Sequence, residues 1–241
     1  MKKNLNFYIT LWIVKLISAG LKLLGKNATY YPGKLALDMC PGFMGMLDKP
    51  KTIIGVTGTN GKTTVSNIIN DILIDNGYKI INNKYGSNID AGIATTLLQG
   101  ATLFGKSKKE IAVLEIDERS APKVFPYITP TYLICTNIFR DSLMRNAHTE
   151  FISEIVSKNV PKDTIVIENA DDLICSGIAP NNAKIYFSID KLAKNDKDAA
   201  MKLKDKIDKH SMQLADVVGK MQRILITVER LLNYIQVFNA G

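Results

Sequence analysis

Thr52-Ile53-Ile54-Gly55-Val56-Thr57 runs without a break into Gly58-Thr59-Asn60-Gly61-Lys62-Thr63-Thr64. The first six residues are an apolar, β-branched run of strand length, and from Lys62 onward the pattern turns helical, so the glycines fall at a strand-to-helix junction. That context is what a phosphate-binding loop needs. Glycine lets backbone N–H groups turn toward an anion, the helix N-terminus adds positive potential, Lys62 supplies a point charge and the Thr63 hydroxyl suits Mg²⁺. A strict GxxxxGK[ST] loop has Gly where this chain has Val56, so the loop belongs to a variant class. Lys62 is expected to stand in an exposed crevice, with little part in the core.

Working outward, apolar runs alternate with helical patterns. Strands are expected at 52–56, 78–81, 111–116, 131–135 and 164–167, with helices at 63–76 and 151–159 between them. Short buried strands separated by helices indicate βαβ units, hence an α/β three-layer domain with a mainly parallel sheet. Its ligand crevice should lie beyond the carboxyl ends of the strands. Upstream, Leu5 to Leu24 reads as an amphipathic or core-packing helix, with interfacial membrane contact as the alternative, because Lys15 and Lys22 interrupt it and no clean cleavage pattern follows. Tyr31-Pro32-Gly33-Lys34 and Cys40-Pro41-Gly42 read as punctuation in a short connecting region. Beyond residue 190, a Lys- and Asp-rich stretch leads into Leu214, Val217, Val218, Met221, Leu225, Val228, Leu231, Leu232 and Ile235, the spacing of one long amphipathic helix. The expected division is therefore 1–50, an N-terminal helix and connector; 51–190, an ATP-binding domain; and 191–241, a charged linker and helix.

Composition is that of an ordinary soluble chain, 46% hydrophobic and 22% charged over 241 residues. The net charge of +8 is uneven: residues 1–50 hold seven Lys against two acids, and residues 191–241 hold ten Lys or Arg against six acids. The middle is left close to neutral. A nucleic-acid grip needs a basic stripe on the folded domain, so no nucleic-acid partner is expected, whereas an anionic membrane surface suits the flanks. Cys40, Cys135 and Cys175 are widely spaced and in apolar surroundings, which fits a reducing cytoplasm, either in solution or at the inner face of the membrane. His148 and His210 share no spacing with other metal ligands.

The run Val56 to Thr64 resembles the ATP loop of Mur ligases, the ATP-dependent enzymes that join amino acids to peptidoglycan precursors. Four further segments narrow the resemblance to the MurT-like subunits of lipid II isoglutaminyl synthase, over about residues 5–190. These are Tyr31-Pro32-Gly33-Lys34; Gly86-Ser87-Asn88-Ile89 followed by Gly92-Ile93-Ala94-Thr95; Leu114-Glu115-Ile116-Asp117-Glu118; and Thr136-Asn137-Ile138-Phe139-Arg140-Asp141.

The resemblance implies ATP held by Gly58, Thr59, Asn60, Gly61, Lys62, Thr63 and Thr64, with Asn137, Asn169 and Asp172 also on the nucleotide. It gives Mg²⁺ to Thr63 and Glu115, and catalytic roles to Lys62, Glu115 and Asp141. Where the family has Gln or His after the Asp, this chain has Ser142. Read without it, Glu115, Asp117 and Glu118 make a solvated turn, Asn169 to Asp172 an ordinary turn, and Arg140 and Arg145 either anion ligands or surface charges.

The implied reaction begins with ATP phosphorylating the α-carboxylate of D-glutamate in the lipid II stem peptide. Ammonia from a GatD-like glutamine amidotransferase then displaces phosphate to give D-isoglutamine. Relatives of this kind carry a four-Cys zinc ribbon and a C-terminal domain. Residues 191–241 hold no Cys, so no zinc is expected there and the chain reads as a partial Mur ligase, truncated, frame-altered or otherwise atypical. Two other readings compete with the enzyme: a nucleotide-binding module without turnover, and an interaction protein assembled through its terminal helices.

Overall fold

Among the described residues six strands lie side by side, all parallel, in the order β2-β3-β1-β4-β5-β6. In this computed structural model residues 1–26, 28–138 and 149–188 are described, and all of them up to Phe187 belong to the compact unit Met1–Phe187. Residues 139–148 and 189–241, with the readings of Arg140, Asp141, Arg145, His148, His210 and the tail helix, lie outside the described residues.

Three helices come first: α1 (Leu5–Leu23), α2 (Tyr31–Met39) and the short α3 (Phe43–Met46). The sheet unit follows as β1 (Thr52–Thr57), α4 (Lys62–Asp75), β2 (Ile80–Asn82), α5 (Asp90–Gly100), β3 (Ile111–Glu115), α6 (Ala121–Val124), β4 (Tyr132–Cys135), α7 (Thr149–Asn159), β5 (Ile165–Asn169) and β6 (Lys184–Phe187). The expected α/β class and parallel sheet are found. Each expected strand is present, with ends that differ by at most two residues.

Strand β1 is central and buried from Ile53 onward, flanked by β3 and β4. From β1 the chain crosses to β2 on one side and returns to β3, and from β3 it crosses to β4 on the other side. The carboxyl end of β1 is therefore the topological switch point of the sheet, the place where open α/β sheets bind ligands. Parallel pairing sets Val56 beside Glu115 and Thr57 beside Cys135, which brings the ends of all three strands together there.

The connecting region at 31–46 is corrected: it is helical. Pro32 lies in the first turn of α2, where its missing N–H and fixed φ do no harm, so the Pro-Gly pair that reads as a break is a helix start. Gly33 is needed for packing, because a Cβ at that position would lie 1.9 Å from the Ala91 carbonyl oxygen. Its N–H donates to the Thr95 hydroxyl at 2.8 Å. Two of the resemblance segments, Tyr31-Pro32-Gly33-Lys34 and Gly92-Ile93-Ala94-Thr95, thus meet as one helix–helix contact. The N-terminal residues share the core of the sheet unit: Phe7, Leu11 and Val14 of α1 are fully buried. Each such side chain contributes roughly 1.5–3 kcal/mol. Helix α5 and strand β6 are additions to the expected elements.

Candidate nucleotide site

The loop after β1 is held in shape before anything binds it. Gly58 has φ +124°, and a Cβ there would lie 2.2 Å from the Thr136 hydroxyl oxygen, so only glycine fits between β1 and the segment after β4. That segment braces the loop. The Thr59 N–H donates to the Asn137 carbonyl (2.8 Å), the Asn60 N–H to Asn137 Oδ1 (2.9 Å), and Asn137 Nδ2 and the Thr136 hydroxyl both donate to the Asn60 carbonyl (3.1 and 2.7 Å). Helix α4 then opens at Gly61, in left-handed conformation, with no side-chain cap. An uncapped helix N-terminus leaves inward-pointing N–H groups and positive potential for an anion.

Three carboxylates end or follow β3. Glu115 is half-buried, and the Thr63 hydroxyl donates to its Oε2 at 2.9 Å. Its backbone is clamped by Asn83, whose Oδ1 accepts from the Glu115 N–H and whose Nδ2 donates to the Glu115 carbonyl, both at 2.8 Å. Asn88 Nδ2 approaches Glu115 Oε1 at 3.5 Å. Asp117 caps the following turn by accepting from the Arg119 N–H. Glu118, which reads as part of a solvated turn, is instead buried, with 4% exposure. Its Oε1 accepts from Lys62 Nζ at 3.1 Å and from the Gly58 N–H at 2.9 Å.

Lys62 is also corrected. Its side chain is 13% exposed and folds back on its own loop, donating to the Gly58 carbonyl as well as to Glu118. A long amine next to a buried carboxylate finds its partner inside the loop, which leaves the outward side to the crevice. Burial raises the Glu118 carboxyl above the usual range, against the opposing pull of the nearby Lys62 charge. The crevice, about 680 Å³, is lined by the loop from Thr59 to Thr64, by Glu115 and Glu118, and by Asn88, Ile89, Asp117 and Arg119.

The structure therefore brings Thr59, Asn60, Gly61, Lys62, Thr63, Thr64 and Glu115 to one crevice, whereas Gly58 packs behind the loop against Thr136 and Asn137. Asn137 is at the loop but acts on its backbone as a brace. Asn169 and Asp172 do not line the crevice. Asn169 Nδ2 donates to the Thr136 carbonyl (3.0 Å) and its Oδ1 accepts from the Asp171 N–H, while Asp172 accepts from the N–H groups of Ile138, Ile174 and Cys175. Both tie the turn after β5 to the segment after β4. Glu118, Asn83, Asn88 and Arg119 are the residues that the sequence reading missed; Glu118 lies only three positions beyond Glu115, but its burial is a tertiary fact. A Mg²⁺ ion fits the two hard oxygens of Thr63 and Glu115, since that ion takes one or two protein ligands and completes its shell with phosphate and water. Among the described residues no cluster of three His, Cys, Asp or Glu side chains could hold a metal, and the three cysteines are buried and free.

Comparison with known proteins agrees with this geometry. The family described as Mur ligase middle domain matches residues 56–240. The lipid II isoglutaminyl synthase (glutamine-hydrolyzing) subunit MurT of Staphylococcus aureus (strain COL) is 32% identical over 180 residues, covering 73% of this chain and 40% of that protein. Its namesake from Streptococcus pneumoniae (strain ATCC BAA-255 / R6) is 37% identical over 174 residues, covering 70% and 38%. The chain thus spans about two fifths of the length of the curated relatives it matches. Among solved structures, MurF from Acinetobacter baumannii superposes with a TM-score of 0.51 at 20% identity over 64% of this chain and 35% of that one, a likeness of fold. From the braced loop, the carboxylate beside Thr63 and these matches together, the chain belongs to the Mur ligase family.

Proposed function

We propose that this chain binds Mg²⁺-ATP as part of an ATP-dependent carbon–nitrogen ligase of peptidoglycan synthesis, of the MurT kind. The observation that carries the reading is the convergence of Lys62, Thr63 and Glu115 at the uncapped start of α4. In that reading ATP is the phosphoryl donor and the α-carboxylate of D-glutamate in lipid II the acceptor. Ammonia from a GatD-like glutaminase attacks the resulting acyl phosphate, the C–N bond forms as the C–O bond to phosphate breaks, and inorganic phosphate leaves.

The chain's own residues do four things. First-turn N–H groups of α4 hold the phosphate oxygens. Lys62 exchanges part of its contact with Glu118 for the outer phosphates, where it meets the charge that develops during transfer. Thr63 and Glu115 hold the metal, whose chemistry is to neutralise phosphate charge and fix its orientation. Asn137 and Glu118 keep the loop from yielding as those charges arrive.

The test is calorimetry of ATP binding with and without Mg²⁺, followed by phosphate release with lipid II and the purified glutaminase. Lys62→Ala should weaken binding at least about tenfold, equivalent to about 1.4 kcal/mol. Absence of nucleotide binding by the folded chain overturns the reading. Binding without release that depends on lipid II removes the ligase step and leaves a nucleotide-binding module.

A further inference from the structure

Helix α1 is apolar on two opposite sides. Phe7, Leu11 and Val14 pack into the core, while Leu5, Ile9, Trp12, Leu16 and Leu23 recur at four- and three-residue steps, or multiples of them, along the opposite face. That outer stripe is open: Leu5 is 74% exposed, Trp12 50%, Leu16 76% and Leu23 89%. Nineteen residues of helix make it about 28 Å long. A second element extends it. The turn between Ala101 and Ser107 lifts Leu103 and Phe104 to 60% and 66% exposure beside α1. Two bonds fix it there, from the Trp12 indole N–H to the Leu103 carbonyl at 2.9 Å and from Lys3 Nζ to the Phe104 carbonyl at 3.2 Å.

The rim of this surface is largely basic, although the exposed Asp48 pairs with Lys3 at 2.9 Å beside the turn. Residues 1–37 contain six lysines and neither Asp nor Glu. Lys22 is exposed on the helix, Lys2 and Lys26 are exposed just before and after it, and Lys106 and Lys108 at the turn. Lysines flanking a broad apolar strip with an aromatic amphipath at its centre match the layered chemistry of an anionic bilayer, with headgroup phosphates outside and acyl chains within. By length and composition alone α1 could cross a membrane. Its inner face forbids that in the folded chain, since Phe7, Leu11 and Val14 would have to leave the core.

We infer that the outer face of α1, with the Leu103–Phe104 turn, seats this protein flat on an anionic lipid bilayer. The inference does not depend on the nucleotide site. A lipid-seated chain would hold that site at a fixed distance from the membrane, which suits a lipid-linked substrate.

The experiment is co-sedimentation of the full chain with vesicles of equimolar phosphatidylglycerol and phosphatidylcholine, against pure phosphatidylcholine, at two salt concentrations. Partition should favour the anionic vesicles at least about tenfold and fall with added salt. The pair Trp12→Glu and Leu16→Glu should lower it at least about tenfold, and Leu103→Glu with Phe104→Glu should do so independently. Circular dichroism checks the fold of each variant. No partition by the parent chain overturns the inference, as does partition that neither pair reduces. A concentration-dependent dimer abolished by the same substitutions, without vesicle binding, assigns the surface to a second copy and equally overturns it.

Discussion

Two buried lysine–glutamate pairs sit at opposite ends of the same design. Lys62 and Glu118 meet at 3.1 Å under the loop, with side-chain exposures of 13% and 4%; Lys184 and Glu168 meet at 2.9 Å between β6 and β5, with exposures of 13% and 0%. Chemistry and burial are nearly the same. The surroundings differ. Glu118 also accepts a loop N–H, and Lys62 borders an open crevice, so that pair can trade one partner for a phosphate. Lys184 gives two contacts to the Glu168 carboxylate and a third bond to the Ser176 carbonyl, so that pair ties β6 to β5 and to the turn that follows it. The contrast shows that what a buried ion pair does is set by what else can reach it.

The largest effect that can break the comparison is on stability. Lys184→Ala, measured at about pH 9 where Glu168 is ionised, leaves a buried carboxylate without its counter-charge and should cost about 3–5 kcal/mol, read as a lower urea midpoint. A loss below about 1 kcal/mol would show the pair to be idle. Lys62→Ala should instead show most of its effect in nucleotide affinity, with a smaller stability loss, because Glu118 keeps the Gly58 N–H as a partner. Equal stability losses in the two variants would erase the distinction.

The next effect is on pH dependence. Burial lifts the Glu168 carboxyl from 4.5 to about 7, against the opposing pull of Lys184. Below about 4.5 both folded and unfolded chains hold the proton. Between 4.5 and about 7 the folded chain keeps a proton that the unfolded chain has released, so stability falls as pH rises through that window. The fall should be on the order of 3 kcal/mol and should flatten in Glu168→Gln, measured by urea unfolding across the range. A wild-type stability that rises through the window would contradict it.

The smallest effect sharpens the site itself. Glu115→Gln should reduce Mg²⁺-dependent ATP affinity about tenfold while leaving metal-free binding and, within about 0.5 kcal/mol, stability unchanged. Equal losses with and without the metal would take Glu115 out of the metal site.

The loop could be read directly because phosphate chemistry fixes residue types at fixed spacing, and β1 could be read because a strand buried on both faces is a continuous apolar run. Helix α5 could not. Ala91, Ile93, Ala94, Leu97 and Leu98 are buried together with Thr95 and Thr96, so the helix has no polar face and its period is lost. Pro32 and Gly33 carried a breaker signal whose meaning changes when proline falls in a first turn. In the site, Lys62, Thr63 and Glu115 were legible, whereas the clamp of Asn83 on Glu115 spans 32 residues and the bond of Glu118 to Gly58 spans 60. No local pattern encodes such pairings. The register of β2 and of β1 against β3 brings them together.

The Asn137 amide has a kinetic consequence. By holding Asn60 from both its N–H and its carbonyl, it removes the loop's freedom to wander before a ligand arrives. A nucleotide then meets one conformation, not an ensemble, and its capture needs no ordering step that would slow association or subtract from affinity as lost backbone entropy. Stopped-flow association should accordingly be a single phase whose rate rises linearly with nucleotide concentration, and Asn137→Ala should bend that line toward a plateau set by the loop's own rearrangement.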